Sequence, residues 1–211
     1  RSLAAEVDRM QVLAAVEQLL AAGVRQQASL EELAGLCIDA QEAATATACT
    51  QQLLRCCGPY GYACFLAARA AYLRGDWAEV ESLSQQALAD RQLPRWQQGM
   101  VQDILGRTAK ASGNAKEAAQ RHLAACRLLE DAPGRREEYS NYLFDLHFFA
   151  GDAAWRCQEA QRYNELLADI PPEEPSALPV HERLRVGYVS ADFGRHVMGY
   201  FCQALLRDYD R

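Results

Sequence analysis

Apolar and small residues recur at helical spacing through nearly all of the first 170 positions, where Ala, Leu, Glu, Gln and Arg dominate and β-branched residues are sparse. The first such stretch, Leu3 to Ala22, places Val7, Met10, Leu13, Ala14, Leu19 and Leu20 at helical intervals, with Gly23 as its stop. Ser29-Leu30-Glu31-Glu32 then reads as a capping box, the hydroxyl and a carboxylate satisfying free N–H groups of a helix from Leu30. A further helical stretch spans Gln41–Cys57 and ends at Gly58-Pro59. These elements form an N-terminal helical segment over residues 1–60.

Residues 61–170 carry an internal repeat. The segment Ala67-Ala68-Arg69-Ala70-Ala71-Tyr72-Leu73-Arg74-Gly75-Asp76-Trp77 aligns with Leu105-Gly106-Arg107-Thr108-Ala109-Lys110-Ala111-Ser112-Gly113-Asn114-Ala115. Val80 and Ala118 follow the glycines at one fixed offset and Ala87 and Ala125 at another, and Pro94 and Pro133 close the units. Helix, turn glycine, second helix and proline is the order of a tetratricopeptide-like hairpin. Small residues at Ala68 and Gly106 admit the second helix closely, and Gly75 and Gly113 suit a left-handed helix end. Trp77 is expected to fill the wedge between hairpins. Gly151-Asp152 repeats the turn, so the glycines at 75, 113 and 151 give a period of 38, implying slightly longer helices or loops than usual. The third unit, Tyr139–Leu167, carries Phe144 and Arg156 at its small-residue positions and reads as a capping or adaptor hairpin. The expected fold is mainly α, a right-handed superhelix of such hairpins.

Composition changes at Pro171, where four of the seven prolines (171, 172, 175 and 179) fall within nine residues. Proline fixes φ and donates no amide hydrogen bond, so residues 171–182 read as an extended linker and a domain boundary. Beyond it, Leu184-Arg185-Val186-Gly187-Tyr188-Val189-Ser190 has the pattern of a buried parallel strand. A polar turn over Ser190–His196 precedes a helix from about Met198 to Leu206, with Tyr200, Phe201, Ala204 and Leu205 on its apolar face. Strand, polar loop and helix open a doubly wound α/β domain, whose ligand chemistry gathers at the carboxyl ends of its strands.

The stretch "LRVGYVSADFGRHVMGYF" resembles the start of the catalytic region of bacterial O-linked N-acetylglucosamine transferases and SPINDLY-like glycosyltransferases. The Ser140–Asp152 stretch "SNYLFDLHFFAGD" is similar to the last helical unit before that region. The resemblance implies that residues 183–211 begin a Rossmann-like catalytic lobe. It also implies transfer of N-acetylglucosamine from UDP-GlcNAc to Ser or Thr of polypeptides, with the acceptor held on the concave face of the repeats. On this resemblance His196 matches an active-site histidine, and imidazole can exchange a proton with an acceptor hydroxyl near neutrality. Read from the residues alone, His196 caps the following helix or bonds to backbone in its turn. A two-lobed transferase needs several hundred residues past this point. The chain, which begins at Arg1, therefore reads as a piece of something longer that holds no cofactor and neither binds UDP tightly nor turns over. The alternative is a non-catalytic adaptor whose repeats bind a partner protein.

Bulk properties narrow the field. Half the residues are hydrophobic and about a quarter charged, the balance of a folded globular protein. Residues 181–211 hold five basic and four acidic groups, leaving −7 on the preceding 180 out of a net −6. No Lys/Arg cluster suits a polyanion, so nucleic acid is not an expected partner. No run reaches the roughly 18–20 apolar residues of a membrane span, and a cytoplasmic location is expected. The eight cysteines, among them the adjacent Cys56-Cys57, show no CxxC or Cys/His zinc spacing and read as small hydrophobes. No two histidines stand at ligand spacing, so no metal site is expected. His122 is expected in a repeat core and His147 between helices, with His181 in the linker. Trp96 and Trp155 read as packing residues, and the acidic pairs Glu31-Glu32 and Glu137-Glu138 as solvated faces.

Overall fold

The computed structural model describes residues 3–149, 151–171, 190 and 197–207. It divides into two units, Arg1–Ile170 and Pro171–Arg211. In the first, α1 (Leu3–Ala21) precedes the hairpin α2 (Gln27–Asp39)/α3 (Ala43–Cys57). The hairpins α4 (Gly61–Arg74)/α5 (Trp77–Ala89) and α6 (Arg95–Ala111)/α7 (Ala115–Leu128) follow. Then come α8 (Ala132–Asp145), a 3₁₀ turn (Leu146–Phe148), α9 (Ala153–Arg162) and a second 3₁₀ turn (Tyr163–Leu167). From α2 to α9 each helix packs on its neighbour in sequence, α1 packs on α3, and α4 also contacts α2 and α6, the layering of a tetratricopeptide-like array.

The two turns of the repeat form alike. Gly75 adopts φ +74 and Gly113 φ +80, the left-handed end that a Cβ would disfavour. The next residue starts the second helix: Asp76 accepts from the Glu79 amide (3.1 Å) and Asn114 from the Glu117 amide (3.3 Å). Asn114 Nδ2 in turn donates to Glu117 Oε2 at 2.9 Å, a reciprocal cap. The open ends of the hairpins are tied as well. Asp90 Oδ2 accepts from the Gly61 amide (2.7 Å), and Arg95 Nη2 donates to the Arg127 carbonyl (3.0 Å).

Alanines carry much of the core. Ala63, Ala68, Ala70, Ala71, Ala87, Ala118 and Ala125 are fully buried; Phe65, Val80 and Val101 fill the space between α4, α5 and α6, and Leu66 packs towards α2 and α3. Cys37, Cys49, Cys64 and Cys126 are buried beside them, and the described cysteines are all free thiols. The long period from Gly75 to Gly113 comes from the 17-residue α6.

Several expectations are corrected. The capping box at Ser29 does not form: α2 starts at Gln27, and Ser29 Oγ, already inside the first turn, donates to Gln26 Oε1. Gln27 and Ala28 are good enough helix formers to carry the start upstream. In α1, Leu13, Val16 and Leu20 face the core, whereas Ala14 and Leu19 are exposed. Trp77, 37% exposed, packs at a tilt on Tyr72 with ring centroids 5.4 Å apart, across its own hairpin turn. In the third unit α8 ends at Asp145, short of Gly151, whereas the second helix keeps the 38-residue period: α5, α7 and α9 start at Trp77, Ala115 and Ala153, each behind a capping Asp or Asn. His147 is exposed on the 3₁₀ turn, and Trp96 and Trp155 are each more than a third exposed.

In the second unit α10 spans Val197–Arg207, and Tyr200 and Phe201 of its expected apolar face are exposed. No strand occurs among the described residues. The strand expected at Leu184–Ser190 lies outside the described residues except for Ser190, which is not in a strand, and so do His181 and His196.

Candidate functional site

The first helices of three consecutive hairpins line one cleft. A cavity of about 300 Å³ lies between Phe65, Arg69 and Tyr72 of α4, Met100, Asp103 and Arg107 of α6, and the end of α2. A second cavity of about 350 Å³ shares Tyr72 and Arg107 and runs on to Lys110, His122, Glu137 and Asn141. The side chains alternate between flat apolar surfaces and fixed polar heads. Arg69 stacks near Phe65 (5.8 Å) and pairs with Asp39 (2.9 Å). Lys110 lies 4.2 Å from the Phe144 ring centroid, and Phe144 packs on Phe148 with both rings largely exposed.

Beneath the cleft, α6, α7 and α8 bury a polar cluster. His122 is 1% exposed, and its Nδ1 faces Asp145 Oδ2 at 2.7 Å. A carboxylate can only accept, so the hydrogen-bond network assigns a proton to Nδ1. Lys110 Nζ lies 3.3 Å from the other oxygen of the fully buried Asp145. On the opposite edge of the ring, His122 Nε2 has no hydrogen-bond partner and points towards Asp103 Oδ1 at 3.9 Å. Arg107 Nε donates to that same oxygen at 2.7 Å.

Glu138 completes the cluster. It is 4% exposed, and the one polar partner of its carboxyl is the Asp103 carboxylate. Burial, with the nearby Asp103 carboxylate, pushes its acid constant up to about 8, although the Arg107 guanidinium pulls the other way. The reading of Glu137-Glu138 as a solvated pair holds for Glu137 alone, because the helix turns Glu138 inward against α6. The ligand atoms of Asp103, His122 and Glu138 all lie within 4.8 Å of one another. These three can therefore hold a cation, where the sequence led us to expect no metal site. They come from three helices, so no local spacing announces them. The only sequence signal is the pairing of a glycine at 106 with a histidine at the packing position 122.

A second buried acid sits on α9. Glu159 accepts from Tyr139 Oη (3.2 Å) and Tyr142 Oη (3.1 Å) and from Arg162 Nη1 (2.6 Å). Burial first, and then the Glu159 charge, raise both phenols above their ordinary range.

No family model and no curated protein matches the chain. Among solved structures, MamA protein matches with a TM-score of 0.60 at 15% identity, over 83% of this chain and 91% of MamA. A mutant of Thermobaculum terrenum O-GlcNAc transferase matches with a TM-score of 0.61 at 23% identity, over 88% of this chain and 35% of the transferase. The chain thus spans about a third of that transferase. Identities this low speak for the fold: a tetratricopeptide-like helical array. Among the described residues no helix is long and apolar enough to cross a membrane.

Proposed function

We propose that the array is a polypeptide-binding module and that it serves as the acceptor-binding arm of a protein glycosyltransferase. The observation that carries the binding reading is the cleft along α2, α4 and α6. Phe65, Tyr72 and Met100 offer apolar surfaces at its floor, and Arg69, Arg107 and Gln41 offer donors along its walls. Arg69 and Arg107 are already paired with Asp39 and Asp103. Their net field is small, so the cleft suits an extended chain read through its backbone and apolar side chains rather than through charge.

The glycosyltransferase reading rests on the motif at Arg185–Phe201 and on the match to an O-GlcNAc transferase. In it the donor is UDP-GlcNAc, the acceptor is a Ser or Thr hydroxyl, and His196 exchanges the acceptor proton. A second reading is a non-catalytic adaptor, since the cleft alone suffices to bind a partner polypeptide.

Two measurements test these readings. A photo-crosslinking residue in place of Tyr72 should capture polypeptide, whereas one in place of the exposed Gln86 on α5 should not; equal capture would remove the cleft from binding. Full-length gene product incubated with UDP-GlcNAc and a protein lysate should add N-acetylhexosamine, read by mass spectrometry, and His196→Ala should abolish it. Absence of transfer by the unaltered product would leave the adaptor reading.

A further inference from the structure

We propose that Asp103, His122 and Glu138 form a binding site for a divalent first-row transition cation, zinc by preference, at the base of the cleft. The inference is independent of any transferase activity, because it uses only α6, α7 and α8.

Four observations support it. First, two of the three donor residues are more than nine-tenths buried, and His122 Nε2 has no partner while the Glu138 carboxyl has only that of Asp103 beside it. Buried polar atoms of folded proteins are almost always satisfied, so the orphan Nε2 facing two carboxyl groups points to a missing partner. Second, Asp145 holds Nδ1–H at 2.7 Å, which in the neutral ring leaves the Nε2 lone pair directed at that space. A histidine ligand commonly has its far nitrogen bonded to a carboxylate in this way.

Third, the donor set fits the cation. One imidazole and two carboxylates leave an open position in a four-coordinate site, and zinc and its neighbours accept N and O donors. Metal–ligand distances of about 2.1 Å would draw the donors to within roughly 3.4 Å of one another, so the present spread of up to 4.8 Å must contract. Asp103 is the most accessible of the three, its side chain 22% exposed, and Arg107 Nε holds only its Oδ1. Fourth, three carboxyl groups (Asp103, Glu138 and Asp145) converge around the one imidazole of His122, two of them on the side of its free Nε2. Access exists, because Asp103 lines one cavity and His122 the other.

The test is titration of the full chain, stripped of metal and kept reduced, with Zn²⁺ by calorimetry and with Co²⁺ by absorption. One equivalent should bind, and Co²⁺ should give visible d–d bands without the thiolate charge-transfer band that any of the eight cysteines would add. Glu138→Gln and Asp103→Asn, whose shapes match the native residues, should each weaken binding at least about tenfold. Asp145→Asn, acting through His122, should weaken it by about 10–100-fold. Circular dichroism of the metal-free variants confirms that they fold. Absence of stoichiometric binding, a thiolate band, or unchanged affinity in Glu138→Gln and Asp103→Asn would each overturn the proposal.

Discussion

The imidazole of His122 lies flat against the backbone of Gly106: a Cβ built on that glycine would sit 2.6 Å from both Cδ2 and Nε2 of the ring. The glycine therefore makes room for one particular side chain rather than for a whole helix. Gly106→Ala should displace the ring and strain its bond to Asp145. Overpacking of this kind costs about 1–3 kcal/mol, offset by up to about 1 kcal/mol of helix propensity. We expect a net loss of roughly 1–2 kcal/mol in urea unfolding. Gly35, interior to α2 with nothing near its would-be Cβ, is the control. There the alanine should stabilise by about 0.5–1 kcal/mol. A Gly106→Ala protein as stable as the Gly35→Ala one would show that the ring yields freely.

The contrast between these glycines shows what was legible in the sequence and why. The repeat of Gly75-Asp76 at Gly113-Asn114 was readable because a helical turn is local: a left-handed residue and a cap lie side by side in the chain. The polar cluster was not, since Asp103, His122 and Glu138 meet only once three helices have packed. Glu138 looked like surface because its neighbour Glu137 is surface, and a helix rotates adjacent side chains by about 100°. Gly151 misled for the opposite reason. The Asp152 beside it does cap α9 in register, yet the stretch Leu146–Phe148 has already tightened into a 3₁₀ turn and ended the first helix before the glycine. The notable site expectation, His196, rests on family resemblance and lies outside the described residues.

Asp145 is the anchor of the cluster, fully buried between His122 and Lys110. Asp145→Ala strands the buried Nδ1–H of His122, while Lys110, 42% exposed, stays solvated, so the loss should be about 2–3 kcal/mol. Asp145→Asn keeps an oxygen that can accept from Nδ1–H and should cost less, about 1–2 kcal/mol. Chemical denaturation of the two variants decides between bond and charge: equal losses would mean that the charge, not the hydrogen bond, holds His122.

Glu138 should make stability depend on pH in an unusual direction for an acid. Its folded acid constant, about 8, lies above the ordinary 4.5, so the folded state holds the proton more tightly than the unfolded state does. The stabilisation is fully present below about 4.5 and is lost as pH rises through about 8. In the presence of a chelator, unfolding free energy should therefore fall between these limits. Glu138→Gln, which stays neutral, should flatten that slope and be the more stable protein at pH 9. Parallel pH profiles for the two proteins would exclude Glu138 as the titrating group.

The last described helix of the array is held by one carboxylate. Glu159 receives both Tyr139 and Tyr142 hydroxyls, while Arg136 Nε reaches past it to the Leu166 carbonyl at 2.9 Å. α9 buries little else, Glu159 being its one buried residue. Segments tied by few buried contacts open independently of the rest of a fold. Glu159→Ala should therefore raise amide exchange across residues 153–167 by roughly tenfold or more, as the loss of more than about 1.4 kcal/mol of local stability requires. Protection in α4–α6, whose core is a separate cluster, should stay within error. Tyr139→Phe and Tyr142→Phe each remove one donor and should produce about half the effect. A uniform rise across the whole array would instead mean that α9 unfolds only together with the hairpins before it.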